Sequence, residues 1–264
     1  TVSNLVGIGI SALGANTTGT NGVAVGKDAL EANTTGDNNT AVGLEALQTN
    51  TTGDNNVAMG TGALALATTA ANNTAVGRSA LGANTTGTAN TAVGQSALAL
   101  NTTGNANVAF GAYHVGSRNA ALAVNTTGAS NSAFGVGALA ANTTASNNTA
   151  VGHSALGSNT TGTENVAVGA RAADSMTTGN YNTAVGNDAL NVATTGNYNT
   201  AMGISAGNKI TTGANNTLMG QGAGGDIVTT NNNLILGYDA GRAGSPGGAI
   251  TGSNEIALGD ENIT

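Results

Sequence analysis

The chain lacks most of what a conventional globular core is built from. Among 264 residues there is no cysteine, no tryptophan and a single proline, aromatic residues make up 2% and charged residues 7%. An ordinary soluble domain is roughly 25% charged. With no thiol there is no redox chemistry by which to assign a compartment. So few aromatics limit the apolar area available to offset chain entropy, and a conventional enzyme core is argued against on that ground alone. Basic residues are scarce as well: six Lys and Arg stand against thirteen Asp and Glu, for a net charge of −7. No basic surface is on offer for a phosphate backbone, which argues against nucleic-acid binding. No long apolar run suggests membrane insertion, and the first residues carry no basic segment leading into one; they read as interior to a longer protein.

What is abundant is Gly, Ala, Thr and Asn, and these are periodic. A glycine recurs every 17 residues from Gly9 through Gly26, Gly43, Gly60, Gly77 and Gly94 to Gly111, then from Gly135 to Gly237, and finally at Gly259. Two insertions break the register, at 112–120 and 242–252. The consensus is clear at Thr74-Ala75-Val76-Gly77, Ala80-Leu81, Asn84-Thr85-Thr86-Gly87 and Asn90. A fixed short period is the mark of stacked structural units, each one coil of a solenoid. Helices are disfavoured because each copy holds two turn-forming glycines and no long apolar face. Thr-Ala-Val-Gly and Asn-Thr-Thr-Gly are Val- and Thr-rich and bounded by Gly and Asn, so each copy is expected to hold two short strands. The expectation is an all-β parallel β-roll or β-solenoid, one repeat domain of fifteen coils over residues 1–264.

Period-2 alternation in the first strand separates two columns. Val25, Val42, Met59, Val76, Val93, Phe110, Phe134 and their successors form one, apolar throughout and expected to be core. Ala24, Ala41, Ala58, Ala75, Ala92 and their successors form the other, expected to face a closely packed neighbour. Leu30, Leu47, Leu64, Leu81 and further leucines to Leu190 make a third ladder. Burying one Val or Leu is worth roughly 1.5–3 kcal/mol, whereas ordering each residue costs about 1–2 kcal/mol. Such a thin stack predicts lateral association with identical chains through the Ala column. The Asn file from Asn39, Asn56 and Asn73 to Asn233 is expected to stack its amides from coil to coil. Asn33 and Asn38 also match glycosylation acceptors, but their place in the repeat favours the structural role.

The array Asn-Thr-Ala-Val-Gly-x-x-Ala-Leu-x-x-Asn-Thr-Thr-Gly-x-x-Asn resembles the repeats of phage tail fibres and related bacterial surface fibres. More loosely, it is similar to the head repeats of trimeric autotransporter adhesins. The resemblance runs from Val6 to Thr264. It implies a left-handed parallel β-roll, three chains side by side in a trimeric rod, and an extracellular place on a virion or cell surface. The closing stretch Ser253-Asn254-Glu255-Ile256-Ala257-Leu258-Gly259 resembles the segment that often precedes an endosialidase-type intramolecular chaperone domain. Coiled-coil stalk heptads and membrane-anchor strands, found in trimeric autotransporters, do not occur here.

Catalytic chemistry leaves little trace. His114 and His153 fall in different copies, and His153 occupies a variable turn filled elsewhere by Lys27, Arg78 and Gln95. The run Gly220-Gln221-Gly222-Ala223-Gly224-Gly225 matches a dinucleotide fingerprint only formally, because its first glycine is the repeat glycine and no βαβ unit surrounds it. Asp28, Glu31, Asp37, Glu45 and Asp54 crowd the first copies without the spacing of a calcium loop. No metal site, cofactor or carboxylate pair for glycoside cleavage is expected.

Departures from the repeat are the candidates for function. The first insertion brings Tyr113, His114 and Arg118 together on an expected protruding loop, the usual place for recognition groups on a rigid scaffold. Tyr181 and Tyr198 hold the same variable position in successive copies and should stack one coil apart. These five residues are the candidate receptor-binding set, for a cell-surface glycan or protein. The composite expectation is a non-enzymatic, homotrimeric fibre segment that presents a binding face. Regular Thr ladders such as Thr34/Thr35 and Thr85/Thr86 open one alternative, an ice-binding solenoid.

Overall fold

The computed structural model describes residues 4–112, 120–245 and 249–259. Secondary structure among them consists of three-residue strands joined by turns, with no helix. They form two compact units that meet in sequence at Val136 and Gly137. The first holds β1 (Val6–Ile8), β2 (Val23–Val25), β3 (Thr40–Val42), β4 (Val57–Met59), β5 (Thr74–Val76), β6 (Thr91–Val93), β7 (Val108–Phe110) and β8 (Ser132–Phe134). The second holds β9 (Thr149–Val151), β10 (Val166–Val168), β11 (Thr183–Val185), β12 (Thr200–Met202), β13 (Thr217–Met219), β14 (Leu234–Leu236) and β15 (Ile256–Leu258). Within each unit successive strands pair in parallel at the repeat offset, as in Ala24↔Ala41 and Ala167↔Ala184. The chain is an all-β parallel β-solenoid with coils of about 17 residues.

Each coil has one strand, not two. Asn-Thr-Thr-Gly forms a turn because its Asn closes on itself: Asn84 Nδ2 donates to Gly87 O at 3.0 Å. An Asn side chain that satisfies nearby backbone in this way outcompetes the β-propensity of the two threonines. The coil-to-coil bonding continues through these turns. The Thr85 amide and hydroxyl both donate to Thr102 O, at 3.0 and 3.1 Å, and Leu81 N donates to Ala97 O at 3.0 Å.

The columns of the strand are also reversed from the sequence expectation. Ala24, Ala41, Ala75, Ala92, Ala167 and Ala184 are fully buried inside the coils, whereas the Val column points outward and Met59, Phe110 and Met219 are 39–45% exposed. The cause is the width of the coil. The buried Leu ladder, Leu81 and Leu98 for example, crosses the interior from the opposite wall, leaving room for one methyl from the strand. The second unit demonstrates this by exchange. Where β13 and β14 place Leu218 and Ile235 inside, the Leu-ladder position becomes Gly207, Gly224 and Gly241, and a Cβ built on Gly207 would lie 2.5 Å from Leu218.

Glycine and left-handed backbone shape the corners. Gly77 has φ +128°, and a Cβ there would stand 2.7 Å from the backbone of Gly94. Non-glycine residues also take positive φ, including Ser79 at 56° and Leu81 at 51°. That conformation costs about 1–3 kcal/mol, an amount comparable to the ~1.5–3 kcal/mol returned by burying the leucine.

Two files of Asn run through the interior. In the expected one, Asn56 donates through backbone N and Nδ2 to Asn39 Oδ1, at 2.9 and 3.1 Å, and through Nδ2 to Ala70 O at 2.8 Å. The pattern repeats at Asn73, Asn90 and Asn107. The second file comes from Asn-Thr-Thr-Gly, with Asn50 donating to Asn33 and Asn33 to Asn16, at 2.7 and 2.8 Å. Ala67 then takes the Asn position and Asn50 Oδ1 is left buried without a hydrogen-bond partner among the described residues. Met176 follows Asn159 with the same result.

Two stability measurements check this account. Ala92→Leu should lower the urea midpoint by the equivalent of about 1–3 kcal/mol through overpacking, whereas Val93→Ala should cost the isolated coil stack less than that. Ala67→Asn should raise the midpoint by about 1 kcal/mol by giving Asn50 Oδ1 a donor; a drop would mean that the file cannot be extended there.

Candidate functional site

Tyr113, His114 and Arg118 lie outside the described residues, as does Pro246. The other two candidates share one corner of the second unit. Tyr181 and Tyr198 both have φ 58°, and each donates its N–H to the preceding coil, to Thr163 O and Asn180 O at 3.1 and 3.0 Å. That bonding fixes the register of the corner, so the rings stack with centroids 5.0 Å apart and planes 2° from parallel. They are 46% and 56% exposed. Glu164 precedes them in the same file, and its negative charge, with a hydrogen bond, raises the Tyr181 phenol above its ordinary value of 10.0.

Beyond Tyr198 the same file continues as Asn215, Asn232 and Asn254, all exposed with positive φ. These residues form one wall of a groove of about 400 Å³ whose other wall is Thr217, Leu234 and Ile256, the first residues of β13, β14 and β15. Asn233 and Glu255 also line it. Asn232 Nδ2 donates to Asn254 Oδ1 at 2.7 Å, and Asn233 Oδ1 accepts from Glu255 N at 2.9 Å. Glu255 takes the place that Asn holds in preceding coils, which puts a carboxylate where the interior file ends. The individual residues are ordinary members of the repeat; the sequence signal was the replacement of Thr and Asn by Leu234, Ile256 and Glu255.

Each unit also has an outward strand face. Its third-position side chains are apolar in each described strand, from Ile8 and Val25 to Leu236 and Leu258, and its first positions carry only Val, Thr, Ser, Leu or Ile. None of the 19 charged residues of the chain occupies either column. Phe110 and Phe134 stack here at 5.2 Å, and Met202 pairs in register with Met219. Sequence reasoning placed this file inside, and so missed it as a surface.

Charged groups sit away from this face, and two ion pairs join neighbouring coils. Arg171 meets Asp188 at 2.6 Å and Lys209 meets Asp226 at 2.7 Å. The Lys209 hydrogen bond, followed by the N–H of Ala243, holds the Asp226 carboxyl below its ordinary range. Asp37 and Asp54 cap backbone amides of preceding coils, those of Thr20 and Asp37. Among the described residues no group of three or more His, Asp or Glu converges as a metal site, and no helix is long and apolar enough to cross a membrane. His153 is exposed and its Nδ1 lies 3.2 Å from Ser154 Oγ. Of the two glycosylation acceptors, Asn33 is 2% exposed and tied into the interior file, whereas Asn38 is exposed at a corner. Gly222 and Gly224 are left-handed turn residues. No protein-family model matches the chain, and a search of curated proteins finds no match.

The tyrosine file has a titration signature. Glu164→Gln removes the charge that opposes ionisation of Tyr181, so the phenol should titrate at lower pH, back toward 10.0. Ultraviolet difference titration of the variant measures this, and an unchanged curve would show that Glu164 does not act on the ring.

Proposed function

We propose that this chain is a non-enzymatic segment of a homotrimeric extracellular fibre, of the phage tail-fibre or bacterial surface-adhesin kind, which spaces and presents a face that binds a cell-surface glycan or protein receptor. The observation that carries this reading is the uncharged, apolar outward strand face. Solvent-exposed apolar files of such continuity mark interaction surfaces, and parallel coils repeat the contact at each ~4.8 Å step. The likeness to fibre repeats supplies the number of chains: three copies turning their strand faces toward one axis cover the Val, Met and Phe side chains and leave the polar corners in solvent. Lateral association thus uses the Val column, and the Ala column serves the interior of each coil.

The ice-binding alternative draws on the exposed second threonines, Thr35, Thr52, Thr69 and Thr86, which form a single file. The first threonines are committed elsewhere, as when the Thr34 and Thr51 hydroxyls donate to backbone carbonyls of the next coil. On the strand face Met59, Phe110 and Phe134 interrupt the Thr and Val pattern with bulk, which suits packing against protein better than a flat water lattice.

Native mass spectrometry should give three chains per particle, and Val93→Asp, which places a charge in the middle of the apolar file, should yield monomers with an unchanged circular dichroism spectrum. A stable monomer for the unmodified chain would overturn the trimer, and clear thermal hysteresis would favour ice binding.

A further inference from the structure

We infer that the groove between the Asn215, Asn232 and Asn254 corner and the first residues of β13 to β15, together with Tyr198 one coil step beyond it, is a binding site for an uncharged oligosaccharide. This rests on the receptor-binding part of the proposed function, and it requires that the first-position edge of β13 to β15, which belongs to the same outward strand face, stay uncovered when the third-position columns of the copies pack together. Three features of the second unit converge on it. First, the groove is a widely open depression of about 400 Å³ that sets apolar side chains beside a few fixed polar groups, the combination small-molecule sites use. Second, its polar wall is made of amides. Asn215, Asn232 and Asn254 present both donors and acceptors, the pairing a sugar hydroxyl requires because it too is both. The opposite wall, Leu234 and Ile256, offers the apolar surface that the C–H face of a pyranose needs.

Third, an aromatic pair stands in the same corner file, ending one coil step before Asn215. Tyr181 covers one face of the Tyr198 ring at 5.0 Å. Asn215, which lines the groove, is the next residue of that file after Tyr198. Tyr supplies a rigid apolar face with a polar tip at little entropic cost. Tyr198 is held at φ 58° in a corner that most coils fill with Asn, and the ring remains 56% exposed despite its stacking on Tyr181. From Tyr198 to Asn254 the file advances three coil steps, roughly 14 Å, a span for a short oligosaccharide and too long for one sugar.

Charge decides between glycan classes. Neither Lys nor Arg lines the groove, and its one ionisable group is the carboxylate Glu255. Anionic sugars would meet uncompensated repulsion there, so the ligand is a neutral one.

The test uses the intact chain in its native assembly. Linear hexasaccharides of glucose, mannose, galactose and N-acetylglucosamine are titrated by tyrosine emission and saturation-transfer NMR, with hexagalacturonate as the acidic probe. Tyr198→Asn and Asn232→Ala are the variants, because Asn at 215 and Ala at 89 already occupy this file and the fold accepts both. At least one neutral hexasaccharide should bind saturably, with the dissociation constant raised about tenfold or more in each variant. Binding by none of the neutral probes, preference for hexagalacturonate, or affinity unchanged in both variants would overturn the assignment. Native mass is measured on the same samples: a monomer that binds sugar would fail the trimer alone, and an Asn232→Ala variant that loses assembly would place the groove in the contact between copies and overturn the site.

Discussion

Everything in this fold depends on satisfying polar backbone in a coil too narrow to hide it. A 17-residue turn of chain encloses little apolar volume, so most peptide groups lie near the interior and need a partner at a fixed depth. The buried asparagines supply it. Each amide accepts from the backbone and side chain of the next coil and donates to a turn carbonyl, so no coil is complete without its neighbour. Fixing such a side chain costs entropy once, but an unpaired buried amide costs about 1–3 kcal/mol. The ladder therefore enforces register: a slip by one residue would orphan several buried groups at once and turn each strand inside out.

Narrowness also explains which residues the coils can hold. The strand and the Leu corner share one space in the interior, and the chain fills it with a large aliphatic side chain from one wall or the other but not from both. Along most of the length it comes from the Leu corner, with Ala on the strand. Around β13 and β14 it comes from the strand, with Gly at the corner. The same coils replace the second Asn file by Ile210 and Ile227, so a larger apolar interior takes over where amide bonding is given up. Surplus apolar side chains of the strand, Val, Met and Phe, have nowhere to go but outward, and the apolar face is in this sense a by-product of the thin core.

Much of this was legible in the sequence. Period 17 gave the coil, the parallel register and the stacking of Tyr181 on Tyr198, because a repeat places equal positions one above another. The direction in which a strand faces was not legible. Val25 and Ala24 are both apolar, and alternation says only that they point apart; the choice is made by Leu30 on the far wall, a long-range matter of volume. Nor was the turn at Asn-Thr-Thr-Gly, where β-branched residues suggested a strand and the Asn side chain decided otherwise. The groove escaped notice because it is built from corner asparagines that the repeat uses everywhere. It acquires character only where Leu234, Glu255 and Ile256 stand beside them.

The exchange of Leu for Gly across the core bears on how such an array can grow. A coil with Ala on its strand and Leu at its corner can be copied next to another of the same kind, since the interior they share stays the same. A coil that carries Leu218 cannot be moved there, because its neighbour's leucine fills the space that Gly207 and Gly224 leave open. Duplication can therefore lengthen the uniform stretch one coil at a time, whereas the stretch from Gly207 to Gly241 is inherited as a block. The amide groove lies against that block, so a change in the length of the array leaves the groove intact.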